Sequence, residues 1–160
     1  MELLLLLSSL LCLGFIFLQD VKDRSVSLLL FIINFIALGL LHYLKGNRQL
    51  LIGHIAINFC ILTPIILVLY AYVKIVLKTS LEESIGLGDL FWTLALAFGF
   101  PTLSFMVLLA FSFLFSLGLH LVYKSRYTNP LVPLAGYQSL FLLLLLVTNE
   151  LFPGLSLYAI

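Results

Sequence analysis

A chain of 160 residues that is 63% hydrophobic and only 9% charged carries more apolar surface than a water-soluble domain of that size can bury. It therefore reads as an all-α, polytopic membrane helical bundle, a single domain over 1–160 with the lipid bilayer as its solvent. The net charge of +1 leaves no basic face for nucleic acid. Cys12 and Cys60 stand alone in apolar runs, which excludes a C-x-x-C zinc site or a disulfide framework and makes both read as buried structural thiols.

Charges and turn residues divide the chain into six apolar runs, roughly 3–18, 26–43, 50–73, 90–100, 102–123 and 131–151. Backbone groups in hydrocarbon must be satisfied within the segment, so each run is predicted to be helical. The first run opens on Met1-Glu2-Leu3 without a basic stretch and ends in Gln19-Asp20-Val21-Lys22, not in a small-residue cleavage site. It reads as a retained helix, not a signal peptide. In the second and third runs, Asn34, Asn58 and Thr63-Pro64 are expected to bond between helices and to introduce a bend. His42 and His54 flank the loop between those runs and read as interfacial, while Trp92, Tyr43, Tyr123 and Tyr127 fit an interfacial belt. The fourth run is too short to span alone at a rise of about 1.5 Å per residue. It is expected to start near Gly86 and to bend into the fifth at Gly99-Phe100-Pro101. His120, near the end of the fifth, reads as a packing residue.

Lysine and arginine orient the bundle. Lys22, Arg24, Lys74, Lys78, Lys124 and Arg126 fall on the first, third and fifth loops, and Lys45 and Arg48 on the opposite side. The richer side is expected to be cytoplasmic, with both termini external, in the cell's inner (cytoplasmic) membrane.

Two acids are set against hydrophobic helix on that richer side. Asp20 follows the first run, and Asp89 opens the fourth within Gly86-Leu87-Gly88-Asp89, where Gly86 and Gly88 remove side chains and permit close approach. Taken singly, Asp89 reads equally as a helix N-cap and Asp20 as a charged stop at a membrane surface. Together, at one depth on one side, they suggest a carboxylate pair. Two such groups facing each other hold one proton between them. The ionised member takes a proton from water, and the protonated one polarises a carbonyl oxygen, with no cofactor and no metal. Asp89, at a helix N-terminus, is expected to be the more readily ionised member and Asp20 the proton holder. Asp23, between Lys22 and Arg24, reads as a solvated rival.

At these residues the chain resembles a family. Asp20-Val21-Lys22-Asp23-Arg24-Ser25-Val26 is similar to the first-loop motif of the prepilin peptidases, the type IV leader peptidases among the G-x-G-D membrane aspartic proteases. Gly86-Leu87-Gly88-Asp89 matches their G-x-G-D, and Asn129-Pro130-Leu131-Val132-Pro133-Leu134-Ala135-Gly136 resembles their P-x-G-P-x-x-x-G stretch. The matches come in the family's order and the six-span layout covers essentially the whole chain. The resemblance implies a membrane aspartic endopeptidase with Asp20 and Asp89 as the catalytic pair. It also implies a partner, a pilin-like precursor protein whose short basic leader is cut just before its hydrophobic helix. The chain departs from the family at Ser27, where Pro is frequent, at Phe91, where many members have Lys, and at Val132, which replaces a Gly. It lacks the soluble tetracysteine segment that accompanies N-methylation, so it resembles the small, peptidase-only branch and no methyltransferase activity is expected.

Glu82 and Glu83, in the loop leading to Asp89, are expected to attract the basic leader. Pro130 and Pro133 open the last helix, where a missing N–H costs least, and are expected to steer it toward the two acids. Two readings of other classes compete: a non-catalytic assembly or transport subunit on a degenerate peptidase scaffold, and a small proton-coupled carrier using the acids as a relay. The first is separated from the enzyme by whether the two carboxylates meet; the second predicts a polar path crossing the bundle, whereas the external half offers few ionisable groups.

Overall fold

The computed structural model describes residues 1–78, 86–123, 132–152 and 157–158. The described residues form six α-helices and no strand: α1 (Glu2–Asp23), α2 (Leu28–Lys45), α3 (Leu51–Tyr72), α4 (Leu87–Gly99), α5 (Thr102–Tyr123) and α6 (Leu134–Leu151). A π-helical turn, Val73–Leu77, continues α3. All but α4 are long and apolar enough to cross a bilayer, so this is a multi-pass helical membrane protein. At 13 residues, α4 measures roughly 20 Å, well short of a hydrocarbon core of about 30 Å.

Contacts between helices fix their directions. Gly136 on α6 meets Asp20 on α1, and Gly14 on α1 meets Leu143 further along α6, so these two helices are antiparallel. Phe31 on α2 lies against Gly88 on α4 and Leu38 against Gly99, so α2 and α4 run parallel. The α2–α4 contact depends on absent side chains. A Cβ on Gly99 would fall 2.7 Å from Leu38 Cβ, and one on Gly39 would fall 2.9 Å from Phe98 Cδ1. Lipid tails are as apolar as leucine, so packing between membrane helices relies on such close backbone approach. Helix α1 lies between α2 and α6, α2 packs on α4, and α3 touches mainly α4 and α5.

A helix as short as α4 ends inside the bundle, where its last carbonyls need donors. Neighbouring helices supply them. Asn58 of α3 donates through Nδ2 to the carbonyls of Ala97 (2.8 Å) and Phe100 (2.9 Å). His42 of α2 donates through Nδ1 to the Phe98 carbonyl at 3.0 Å. His54 Nδ1 lies 3.1 Å from Thr102 Oγ1, at the start of α5. These contacts correct two expectations: His42 is 1% exposed, not interfacial, and Trp92 is 1% exposed, not part of an aromatic belt. Tyr43 and Tyr123 do lie exposed. Asn34 bonds across helices, accepting from Ser9 Oγ at 2.7 Å. Cys12 is buried, but Cys60 is exposed on α3 and is not the buried thiol that its apolar surroundings suggest. The same end of the bundle is closed by the Lys45–Glu150 ion pair at 2.9 Å and by Tyr158 stacked on Phe100, ring centroids 5.4 Å apart.

Candidate active site

At the opposite end, α1 runs past the boundary expected for it and ends at Asp23, so Asp20 occupies its last turn. The chain leaves the helix through Arg24 in the left-handed region (φ 54°), a conformation that costs a non-glycine residue roughly 1–2 kcal/mol. The sharp turn returns the chain to α2 across four residues, Arg24 to Ser27. Gln19 Oε1 accepts the Ser27 N–H at 3.0 Å and ties the turn down. A proline at 27 would have no N–H to give and would lose this bond.

Asp89 lies in the first turn of α4, its N–H donating to the Gly86 carbonyl at 3.0 Å. Its carboxylate folds back over Gly86, where a Cβ would sit 3.3 Å from Oδ2. A Cβ on Gly88 would lie 3.3 Å from the Phe31 ring and 3.6 Å from Ala135 Cβ. The two glycines therefore serve different contacts, Gly86 the carboxylate and Gly88 the approach of α4 to α2 and α6. Phe91 stacks on Phe31, centroids 6.2 Å apart.

The N-terminus of α6 joins the two acids. Pro133, buried, is its N-cap, and the next free amides point at carboxylates. The Gly136 N–H donates to Asp20 Oδ2 at 2.6 Å, and the neighbouring Ala135 amide lies on the Asp89 side. One of two consecutive amides thus holds Asp20, and the other faces Asp89. The arrangement uses the unsatisfied N–H groups and positive end of the helix dipole, which attract negative charge. The two carboxylates lie within electrostatic reach of each other, and Arg24 lies within reach of Asp20. The contact is close: a Cβ on Gly136 would stand 3.0 Å from both Cβ and Oδ2 of Asp20. Asp23 is exposed.

An apolar groove of about 650 Å³ opens beside Asp89, walled by Ile65 and Leu69 of α3, Thr93 of α4, Phe113 of α5 and Leu134 of α6. Glu82, Glu83 and Pro130 lie outside the described residues. The role of the Ala135 and Gly136 amides was not legible as a mechanism in the sequence; Pro130, Pro133 and Gly136 marked the segment, but not its donors. No protein-family model, curated protein or solved structure matches this chain.

Proposed function

We propose that this protein is a membrane aspartic endopeptidase that removes the basic leader of a pilin-like precursor. The observation that carries the reading is the pair of carboxylates, Asp20 and Asp89, gathered at one helix N-terminus, where the Gly136 amide holds Asp20 and Ala135 lies beside Asp89. A structural cap needs one carboxylate. Two from different helices bring like charges together at a cost that a purely structural design has no reason to bear.

The surroundings distribute the charge. The Gly136 amide donates to Asp20, while Asp89 borders the apolar groove. In this reading Asp20, bonded by the Gly136 amide, carries the anion and Asp89, beside the apolar groove, the shared proton, an order opposite to that expected from helix ends alone. Asp20 takes a proton from water as the water oxygen bonds to the scissile carbonyl carbon. Asp89 donates its proton to the carbonyl oxygen, giving a neutral tetrahedral diol. Collapse of the diol breaks the C–N bond. The leaving nitrogen receives the proton held by Asp20, and a diol hydroxyl proton returns to Asp89. Acid and amine are released with both carboxyls in their starting states.

The groove beside Asp89 suits the hydrophobic helix that follows the cleavage point. Lys22 and Arg24 at the end of α1, and Lys74 and Lys78 at the end of α3, lie at the aspartate end of the bundle. By the positive-inside rule that end faces the cytoplasm, where precursor leaders are found. The test is to co-express the protein with pilin-like precursors in cells without other leader peptidases and to read precursor N-termini by mass spectrometry. Loss of the leader just ahead of the hydrophobic segment supports the peptidase. Intact precursors that nevertheless co-purify with the protein would favour the non-catalytic assembly subunit.

A further inference from the structure

One helical turn inward from the two acids, the bundle core becomes polar again without supplying partners. Gly88 and Ala135 face each other across α4 and α6. Trp92 is four residues beyond Gly88 and Gln138 three beyond Ala135, spacings that keep each on the same face of its helix. Helices α4 and α6 run parallel, since each opposes α1 in direction, so Trp92 and Gln138 come to the same depth. Trp92 is 1% exposed and Gln138 fully buried. Among the described residues, neither the indole Nε1 nor either polar atom of the Gln138 carboxamide has a hydrogen-bond partner. Ser139, also fully buried, has an unpartnered Oγ beside them in sequence.

Dry polar groups in a bundle core are costly, and buried water is the usual remedy where two or more such groups converge. We propose that Trp92 and Gln138 bind a water molecule one turn behind the Asp20–Asp89 pair and that Gln138 positions it for delivery to the acids. The indole N–H donates to the water oxygen, and the Gln138 Oε1 accepts one of its hydrogens. The second hydrogen is free to point toward the carboxylates. The water site stands on burial and missing partners alone; only its delivery role rests on the peptidase reading. The competing arrangement, an indole bonded directly to Gln138 Oε1, leaves no room for water between them.

Trp92 is the only tryptophan in the sequence, so a ¹⁵N-indole label gives a single resonance. Full-length protein in lipid bicelles is expected to show magnetisation transfer from water to the Trp92 indole N–H, reduced several-fold in Gln138→Leu. Gln138→Met serves if the leucine variant does not fold. An indole with no water transfer, or transfer unchanged by both substitutions, overturns the site. In the cleavage assay, Gln138→Leu is expected to lower kcat about tenfold with KM unchanged, the signature of lost positioning. Water transfer lost while kcat holds overturns the delivery role. A wild-type protein that cuts no precursor would instead sink the peptidase reading, and the indole signal would still decide the water site.

Discussion

At the scale of single residues, the site is defined as much by what glycines omit as by what the acids supply. Gly136 lets α6 approach α1 closely enough for its amide to reach Asp20 at 2.6 Å. A methyl there would meet Asp20 Cβ and Oδ2 at 3.0 Å and the Phe17 carbonyl at 3.4 Å, neighbours that include backbone and cannot simply swing aside. Gly136→Ala is therefore expected to destabilise the protein by about 1–3 kcal/mol, as overpacking does. It should also lower cleavage per folded molecule by more than tenfold, on the scale of a displaced catalytic group. Gly88→Ala meets mainly the edge of the Phe31 ring at 3.3 Å, which can rotate, and should cost less on both counts. Thermal unfolding and cleavage rates in detergent would compare the pair. Equal effects would show that the Gly136 amide has no special place.

At the scale of elements, the shortness of α4 organises the polar residues of the bundle. Asn34 and Asn58 were legible as intramembrane polar positions because apolar runs make every polar residue conspicuous. What Asn58 bonds was not legible, because its acceptors, the Ala97 and Phe100 carbonyls, lie on a helix remote in sequence and exist only because that helix stops early. The same reason explains why His42 and Trp92 were misplaced. Hydropathy locates a residue along the membrane normal but not around a helix, and a bundle has an inside as well as two surfaces. Asn58→Leu keeps the volume but leaves two carbonyls without donors, and is expected to cost about 1–3 kcal/mol. Asn58 is at the end away from the acids, so cleavage per folded molecule should hold. Unfolding in a denaturing detergent series would measure the loss; a variant as stable as the parent would show that other groups replace the cap.

At the scale of the whole molecule, composition made the membrane bundle legible, and charge and turn residues bounded five of the helices within a few residues. That Asp20 and Asp89 share one end of the bundle was foreseeable from topology, since alternating helices bring the end of α1 and the start of α4 to one side. The joining element was not, because an amide at a helix start carries no side-chain signature. The basic-residue distribution, six against two, sets a further expectation. Single cysteines introduced at Lys22 and Lys74, with Cys12 and Cys60 replaced, should be shielded from an impermeant thiol reagent in intact cells and react after lysis, while one at Arg48 should react from outside. Labelling of Lys22→Cys in intact cells would reverse the assigned orientation. It would also remove the cytoplasmic site that leader cleavage requires.

The central claim is that two aspartates share one hydrolytic reaction, and it is tested most directly by cleavage with Asp20→Asn and Asp89→Asn, each reconstituted in lipid with a pilin-like precursor. Asparagine keeps the size of each side chain and an acceptor oxygen for the Gly136 or Ala135 amide, while removing the ionisable carboxyl that either role demands. Each variant should remain folded, and each alone should lose cleavage by at least about a thousandfold. A folded Asp20→Asn or Asp89→Asn protein that removes the leader at near the parent rate would contradict the account.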